Sequence, residues 1–374
     1  MAARPPAQIR NYRKQDKTAL LELFAACWDE EKSEMNLACW EWLYEMNPNT
    51  DPERPVIFIL EEAGRIIGSV SCVPAQLMVE GVIYNFHWVM DYMVHPRHRG
   101  GMKGFRLARE VIKLSASTLG SGFPIQETVP IWLRAGKKVG VDEVGAFGPM
   151  VLPLNARYLL QRKSLNPLLT WTANLALKPT LALQRMFRGL GTPRDAGLTI
   201  TGVERFDRDA SDFFARVGPG YPIIVVRDDS YLNWRFSDYP GKHYTKLVAR
   251  DASGSMRGYL VLRTVLKRNG VREGLVVDFL AERGDEAAIR ALVQEGLAIF
   301  RRERCDVAKG LEFFVPDMRE IMVRLGFFHH PVKRHYLIFY NELCPDKPKS
   351  FFRDKANWYI TRNFADQEIN EYLD

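Results

Sequence analysis

Apolar positions along the chain change period repeatedly, and the changes mark its elements. Leu20, Leu21 and Phe24 recur at helical spacing within Lys17–Trp28, with Asp16 as a cap neighbour. Val56–Leu60 and Ile66–Val73 are short β-rich runs joined by a turn through Gly64, which is a hairpin signal. Phe86–Val94 predicts a third, longer strand. From Gly104 to Leu119, the residues Phe105, Leu107, Ala108, Val111, Ile112 and Leu114 form one helical stripe. Glu127–Lys138 predicts a shorter helix and Val144–Leu152 a closing strand. Helices interleaved with antiparallel runs make this an α/β fold, of the α+β mixed-sheet kind.

The same succession recurs in the second half. "EWLYEMNP" places Trp42 six residues before Pro48, and "NWRFSDYP" places Trp234 six residues before Pro240. Gly68 is echoed by Gly258, Asp91 in "MDYMV" by Asp278 in "VVDFLA", and Gly136 by Gly326, at offsets of 187 to 192 residues. Five landmarks in one order point to a tandem duplication. The chain divides accordingly into a first unit at 1–150, a connector at 151–196, a second unit at 197–345 and a tail at 346–374. The tail contains a strand-like "WYIT".

Composition narrows the class. The chain has 374 residues, 47% hydrophobic and 26% charged, enough for two ordinary cores. Five scattered cysteines form no CxxC pair, which argues against a disulfide framework or zinc site and suits a reducing compartment. No signal-like h-region and no membrane-length apolar run is present, so the expectation is a cytoplasmic protein. The net charge of +7 is matched by the seven cations Arg157, Arg162, Lys163, Lys178, Arg185, Arg188 and Arg194, in a stretch without acids. A single basic segment on a neutral body is a docking feature rather than a nucleic-acid surface. Two readings of 151–194 stand open: an amphipathic face resting on anionic lipid at the inner side of the membrane, or an inter-domain brace.

The stretch "VMDYMVHPRHRGGMKGFRLAREVI", Val89–Ile112, carries the chemistry. A strand, a basic glycine-bearing turn and a helix present backbone N–H groups, a helix dipole and guanidinium groups to a phosphate. These residues resemble motif A of the GNAT acyl-CoA-dependent N-acyltransferases, with Val94, Pro96, Arg99, Gly100 and Gly104 in step with its pattern. The paired Trp–Pro landmarks resemble tandem-GNAT proteins associated with bacterial surface polysaccharide clusters. The resemblance implies two tandem GNAT-like domains and acetyl-CoA or another acyl-CoA as co-substrate. It implies donor contacts from Met93, Val94, Arg99, Gly100, Gly101, Met102, Lys103, Gly104 and Phe105, with Lys103 and Arg106 in reach of a 3′-phosphate. The implied acceptor is a small-molecule or glycan-precursor amine, such as an amino sugar or other cell-envelope precursor.

Departures from the pattern are specific. Met102 stands where the pattern has its middle glycine. Trp132, and Met322 in the second half, stand where a thiolate-protonating tyrosine is usual; water or Tyr92 could substitute. The candidate catalytic residues are therefore Asp91, Tyr92 and Glu127. Asp91 is either a general base or a strand carboxylate paired to an arginine, and Glu127 either a catalyst or a helix N-terminal acid. After Asp278 there is no basic glycine turn, and Asp285 and Glu286 would repel phosphate. The second unit is thus expected to shape an acceptor cleft, not to bind coenzyme A. His87 reads as a core-edge histidine, or by strand alternation as one facing the cleft, and Trp42 and Trp234 as core anchors. His95, His98 and the "HHPVKRH" histidines lack metal spacing, so no metal is expected. A Fem-type aminoacyltransferase and a non-catalytic binding protein on a transferase scaffold remain as alternatives.

Overall fold

The protein is described by a computed structural model covering residues 6–27, 39–51, 53–160, 197–311, 316–330, 334–339, 343–344 and 346–364. Trp28, most of the basic connector and the acidic end of the tail lie outside the described residues. The fold is mixed α/β, built on two mixed sheets of nine and seven strands.

In the first sheet β1 (Gln8–Asn11), β2 (Ile57–Glu62), β3 (Arg65–Val79) and β4 (Val82–Val94) form an antiparallel run. β4 then pairs in parallel with β5 (Leu119–Gly122). The motif helix, Lys103–Lys113, makes the β4–β5 crossover. It ends earlier than its stripe predicts. Ser115 Oγ donates to the Ile112 carbonyl at 2.5 Å and Ser117 Oγ to that of Leu114 at 3.2 Å, bonds that compete with helix continuation. Leu119, assigned to the helix on its pattern, opens β5 instead. The next helix is confined to Val129–Ala135, after a single turn at Gln126–Thr128.

The predicted strand Val144–Leu152 is two strands. β6 (Val141–Phe147) stays in the first sheet, whereas β7 (Pro149–Pro153) enters the second. That sheet repeats the order of the first. β8 (Thr199–Val203), β10 (Thr245–Arg250), β11 (Met256–Leu266) and β12 (Arg272–Ala281) run antiparallel, and β13 (Val307–Leu311) follows in parallel. β7 lies between β13 and β14 (Phe328–His329). Reciprocally, β15 (Arg334–Phe339) lies between β5 and β6. Each sheet takes its penultimate strand from the other half, so boundaries at 150 and 197 divide the chain but not the sheets. Two short strands sit outside this scheme. β9 (Ile223–Val225) pairs with the far end of β3, and β16 (Trp358–Tyr359) with β9.

Trp42 and Trp234 hold the centre. Trp42 Nε1 donates to the Trp234 carbonyl at 2.6 Å, and Trp234 Nε1 donates back to that of Trp42 at 2.8 Å. Their rings stack at 4.8 Å and 15°, and both are buried. They are core anchors, and the reciprocal bonds satisfy two indole donors that burial would otherwise leave costly. The helical stretch 39–44 that carries Trp42 also carries Tyr44.

Because β15 supplies hydrogen bonds to both β5 and β6, a chain ended at residue 330 is expected to lose protection in the first sheet. Amide hydrogen exchange reads this out, and native-like protection of β5 in the truncated chain would contradict the exchanged architecture.

Candidate active site

The turn after β4 is built for close approach to its backbone. Gly100, Gly101 and Met102 take positive φ values of 99°, 60° and 64° before the motif helix begins. Met102 thus adopts the left-handed conformation a glycine would take, at roughly 1–2 kcal/mol, with its side chain exposed. The cradle keeps its backbone path despite the substitution. No side chain caps the helix at Met102, so its first-turn N–H groups stay available to an anion.

Cations surround that turn. Arg97, Arg99 and Arg106 are exposed, and Arg99 Nε donates to the Val94 carbonyl at 3.2 Å, which fixes the guanidinium over the strand end. Glu62 sits 3.0 Å from His98 Nδ1 and 3.3 Å from Lys103 Nζ, and the two hold its carboxyl below the usual range. Lys103 is therefore tied to Glu62 while Arg106 points outward on the helix. Phe105 is half-buried beneath the Arg134 guanidinium at 5.8 Å. His95 and His98 meet edge to face, and no three His, Cys, Asp or Glu cluster at metal-binding geometry among the described residues.

A bulge lies just before the turn. The β3–β4 register pairs Ser71 with Met90 and Ser69 with Met93, which leaves Asp91 and Tyr92 opposite one residue. Asp91 takes φ 50° there. Its carboxylate accepts a hydrogen bond from the Tyr44 hydroxyl at 2.5 Å. Burial, and after it the Asp91 charge, raise the Tyr44 ionisation well above its ordinary value, so Tyr44 remains a donor. Asp91 is thus held by a phenol, and neither sequence reading named this partner. The available signal was Tyr44 two residues after Trp42, where the repeat has Phe236 after Trp234.

The β4–β5 ladder ends at Trp88–Ser121, and beyond it the strands part. Gly122 keeps β5 close to β4 one residue past that pair, since a Cβ there would meet the Val89 carbonyl at 3.0 Å, and the fork opens after it. Val89, Tyr92 and Val94 pack on the motif-helix side, while Phe86, Trp88, Met90 and Met93 pack on the other. Tyr92 lies against Trp132 at 4.9 Å. Its hydroxyl is buried, has no hydrogen-bond partner among the described residues and titrates at about 12 because of burial. Gly104 is required beneath it, because a Cβ would come within 2.5 Å of that oxygen. Glu127 stands apart, exposed in the turn preceding the Val129–Ala135 helix.

Residues 8–121 match the sequence profile of the acetyltransferase (GNAT) domain, whose span takes in β1 to β5 and the whole cradle. The chain therefore carries an acyltransferase domain, in a mixed α/β fold of two GNAT-like sheets. Solved structures are similar over most of the chain. A GCN5-related N-acetyltransferase from Anabaena variabilis matches with a TM-score of 0.61 and 10% identity, over 90% of this chain and 73% of that one. A probable N-acyltransferase from Enterococcus faecalis gives 0.60 and 12%, over 89% and 72%. N-myristoyltransferase from Saccharomyces cerevisiae, solved with bound myristoyl-CoA, gives 0.55 and 12%, over 96% and 92%. At such identities the likeness is one of fold. No curated protein matches the sequence significantly.

The second sheet differs from the first at both key positions. Its crossover helix, Glu286–Arg302, is capped by Asp285, whose carboxylate accepts from the Ala288 N–H at 3.1 Å and pairs with Arg257 at 2.7 Å. A carboxylate thus takes the place an anion would need. Asp278 is fully buried, 3.2 Å from Arg227 Nε, and accepts from Tyr259 at 2.8 Å and Thr361 at 2.6 Å. Burial disfavours the Arg227 cation, but Asp278 outweighs it and holds the guanidinium charged. The tail contributes further, through Asn363 N–H to the Val277 carbonyl at 3.0 Å. Asp278 is a structural carboxylate.

In the first sheet His87 is buried on β4, and desolvation pushes its imidazole down to about 4 from 6.5. Above pH 6.5 the ring is neutral folded or unfolded. As pH falls towards 4 only the unfolded chain takes up the proton, so stability drops, by about 3 kcal/mol for this group. Urea unfolding at pH 7 and pH 4.5 should show a smaller acid loss in His87→Gln than in the parent chain.

Proposed function

We propose that this protein is a tandem-GNAT N-acyltransferase that moves an acyl group from acyl-CoA to an amine. The observation that carries this reading is the pairing of an uncapped, cation-flanked helix start with Asp91 at the β4 bulge. In this reading the units fall at 1–150 and 197–345. The first-turn N–H groups of the motif helix, with Gly100, Gly101 and Arg99, hold the pyrophosphate. Arg106 and Arg97 are better placed than Lys103 for a further phosphate, since Lys103 is engaged by Glu62.

The thioester then lies in the β4–β5 fork, where backbone N–H groups of Met93–Val94 polarise its carbonyl. Asp91, oriented by Tyr44, takes a proton from the attacking nitrogen as the C–N bond forms. The C–S bond breaks, and the departing thiolate takes a proton from water or from Tyr92, which burial keeps protonated. Glu127 is too exposed to share this role. The second unit forms acceptor surface without holding coenzyme A, in keeping with its Asp285 cap and buried Asp278 network. The acceptor we favour is an amino sugar or other cell-envelope precursor, with catalysis at the cytoplasmic side. The left-handed Met102 supports acyl-CoA over the Fem-type alternative, because it preserves the phosphate-facing backbone.

Arg99→Ala should weaken acetyl-CoA binding by about 10- to 100-fold, the worth of a charge-assisted contact. Isothermal titration measures this, and unchanged affinity would refute the donor site. Asp91→Asn should keep acetyl-CoA affinity and lower kcat by about 10²–10⁴. Thiol release across a panel of amines reads the rate and identifies the acceptor class.

A further inference from the structure

The face of the β4–β5 fork opposite the motif helix is closed by aromatic rings. Trp88 occupies the last position of the ladder before the fork. On the other arm, Phe123 follows the end of β5 directly. The Phe123 ring meets Phe147 at 6.2 Å and Phe364 at 6.0 Å, both edge to face. Phe364 in turn meets Trp88 at 5.9 Å and Phe86 at 6.0 Å. Trp88, Phe86, Phe147 and Phe364 are at most 2% exposed, whereas Phe123 is half-buried.

Phe364 arrives from far along the chain, after β16. It is fixed there because Asn363 bonds the Val277 backbone and accepts from Arg235 Nε at 2.6 Å. The segment that fills the second sheet around Asp278 therefore also floors the fork in the first. A chain threading the fork from the motif-helix side meets this layer immediately beyond the Trp88–Ser121 level. Interiors packed this closely do not admit added methylenes without displacing rings.

We infer that the donor carries a short acyl group, and that Phe123 and Phe364 together set its length. This rests on the reading of the fork as the donor site. Tyr44 is buried in the same core cluster as the rings and donates to Asp91 at the bulge, so a short acyl group ends level with Asp91 while a longer one runs into the rings. An ordinary apolar channel would instead reward each added methylene with tighter binding.

Isothermal titration of the full-length protein with free coenzyme A, acetyl-CoA and octanoyl-CoA tests this. Coenzyme A and acetyl-CoA should bind comparably, and octanoyl-CoA at least about tenfold more weakly. Phe123→Ala should recover about tenfold for octanoyl-CoA with acetyl-CoA unchanged. Phe364→Leu, which keeps the core filled, should recover part of it. Octanoyl-CoA binding the parent chain as tightly as acetyl-CoA overturns the length limit alone. So does a penalty unmoved in both variants. Failure of free coenzyme A to bind overturns the donor site and the length limit with it.

Discussion

Each of the two sheets completes its hydrogen bonding with a strand from the other half. β15 supplies partners to β5 and β6, and β7 supplies them to β13 and β14. Backbone groups buried inside a sheet must be paired, so neither half can satisfy its own interior alone. The exchange brings the two Trp-bearing helices face to face, and the Trp42–Trp234 bonds and stack then fix their relation. Tyr44 reaches Asp91 from that same helical stretch, so the orientation of the candidate base depends on the exchange.

The two halves share an architecture and differ in electrostatics. In the first, the crossover helix starts uncapped among arginines, and the bulge carboxylate accepts from the Tyr44 phenol. In the second, Asp285 caps the helix, and Arg227, Tyr259 and Thr361 surround Asp278. A carboxylate at a helix start competes with any phosphate for the same N–H groups. A buried ion pair with its hydrogen bonds satisfied is held in place. The first half keeps groups available for a ligand, and the second spends the equivalent groups on its own core.

Legibility varied with the kind of information a feature needs. The cradle was legible because a strand, three consecutive turn residues and a helix lie within one short stretch. Met102 shows the limit of that reading: its side chain departs from the pattern, while its backbone follows it. Glu127 was singled out by its place before a helix, but its exposure comes from packing that no local pattern encodes. The strand predicted across Val144–Leu152 had continuous apolar character, yet its two parts belong to different sheets. Nothing local distinguishes the neighbour that each part will find.

By itself the sequence determined the mixed α/β class, the repeated order of elements, the glycine turn and the absence of a matching turn in the second half. These follow from periodicity and from residue types at short range. Only the tertiary structure decided the exchanged strands, the Tyr44–Asp91 bond, the pairing of Asp278 with Arg227 and the aromatic floor beneath the fork. The Tyr44–Asp91 bond joins residues 47 positions apart and the Arg227–Asp278 pair residues 51 apart, and such partners become neighbours only when the chain has closed on itself. The Phe364 ring is the clearest instance. In the sequence it is one aromatic residue in a polar tail, and in the fold it closes a fork formed by strands more than two hundred residues earlier.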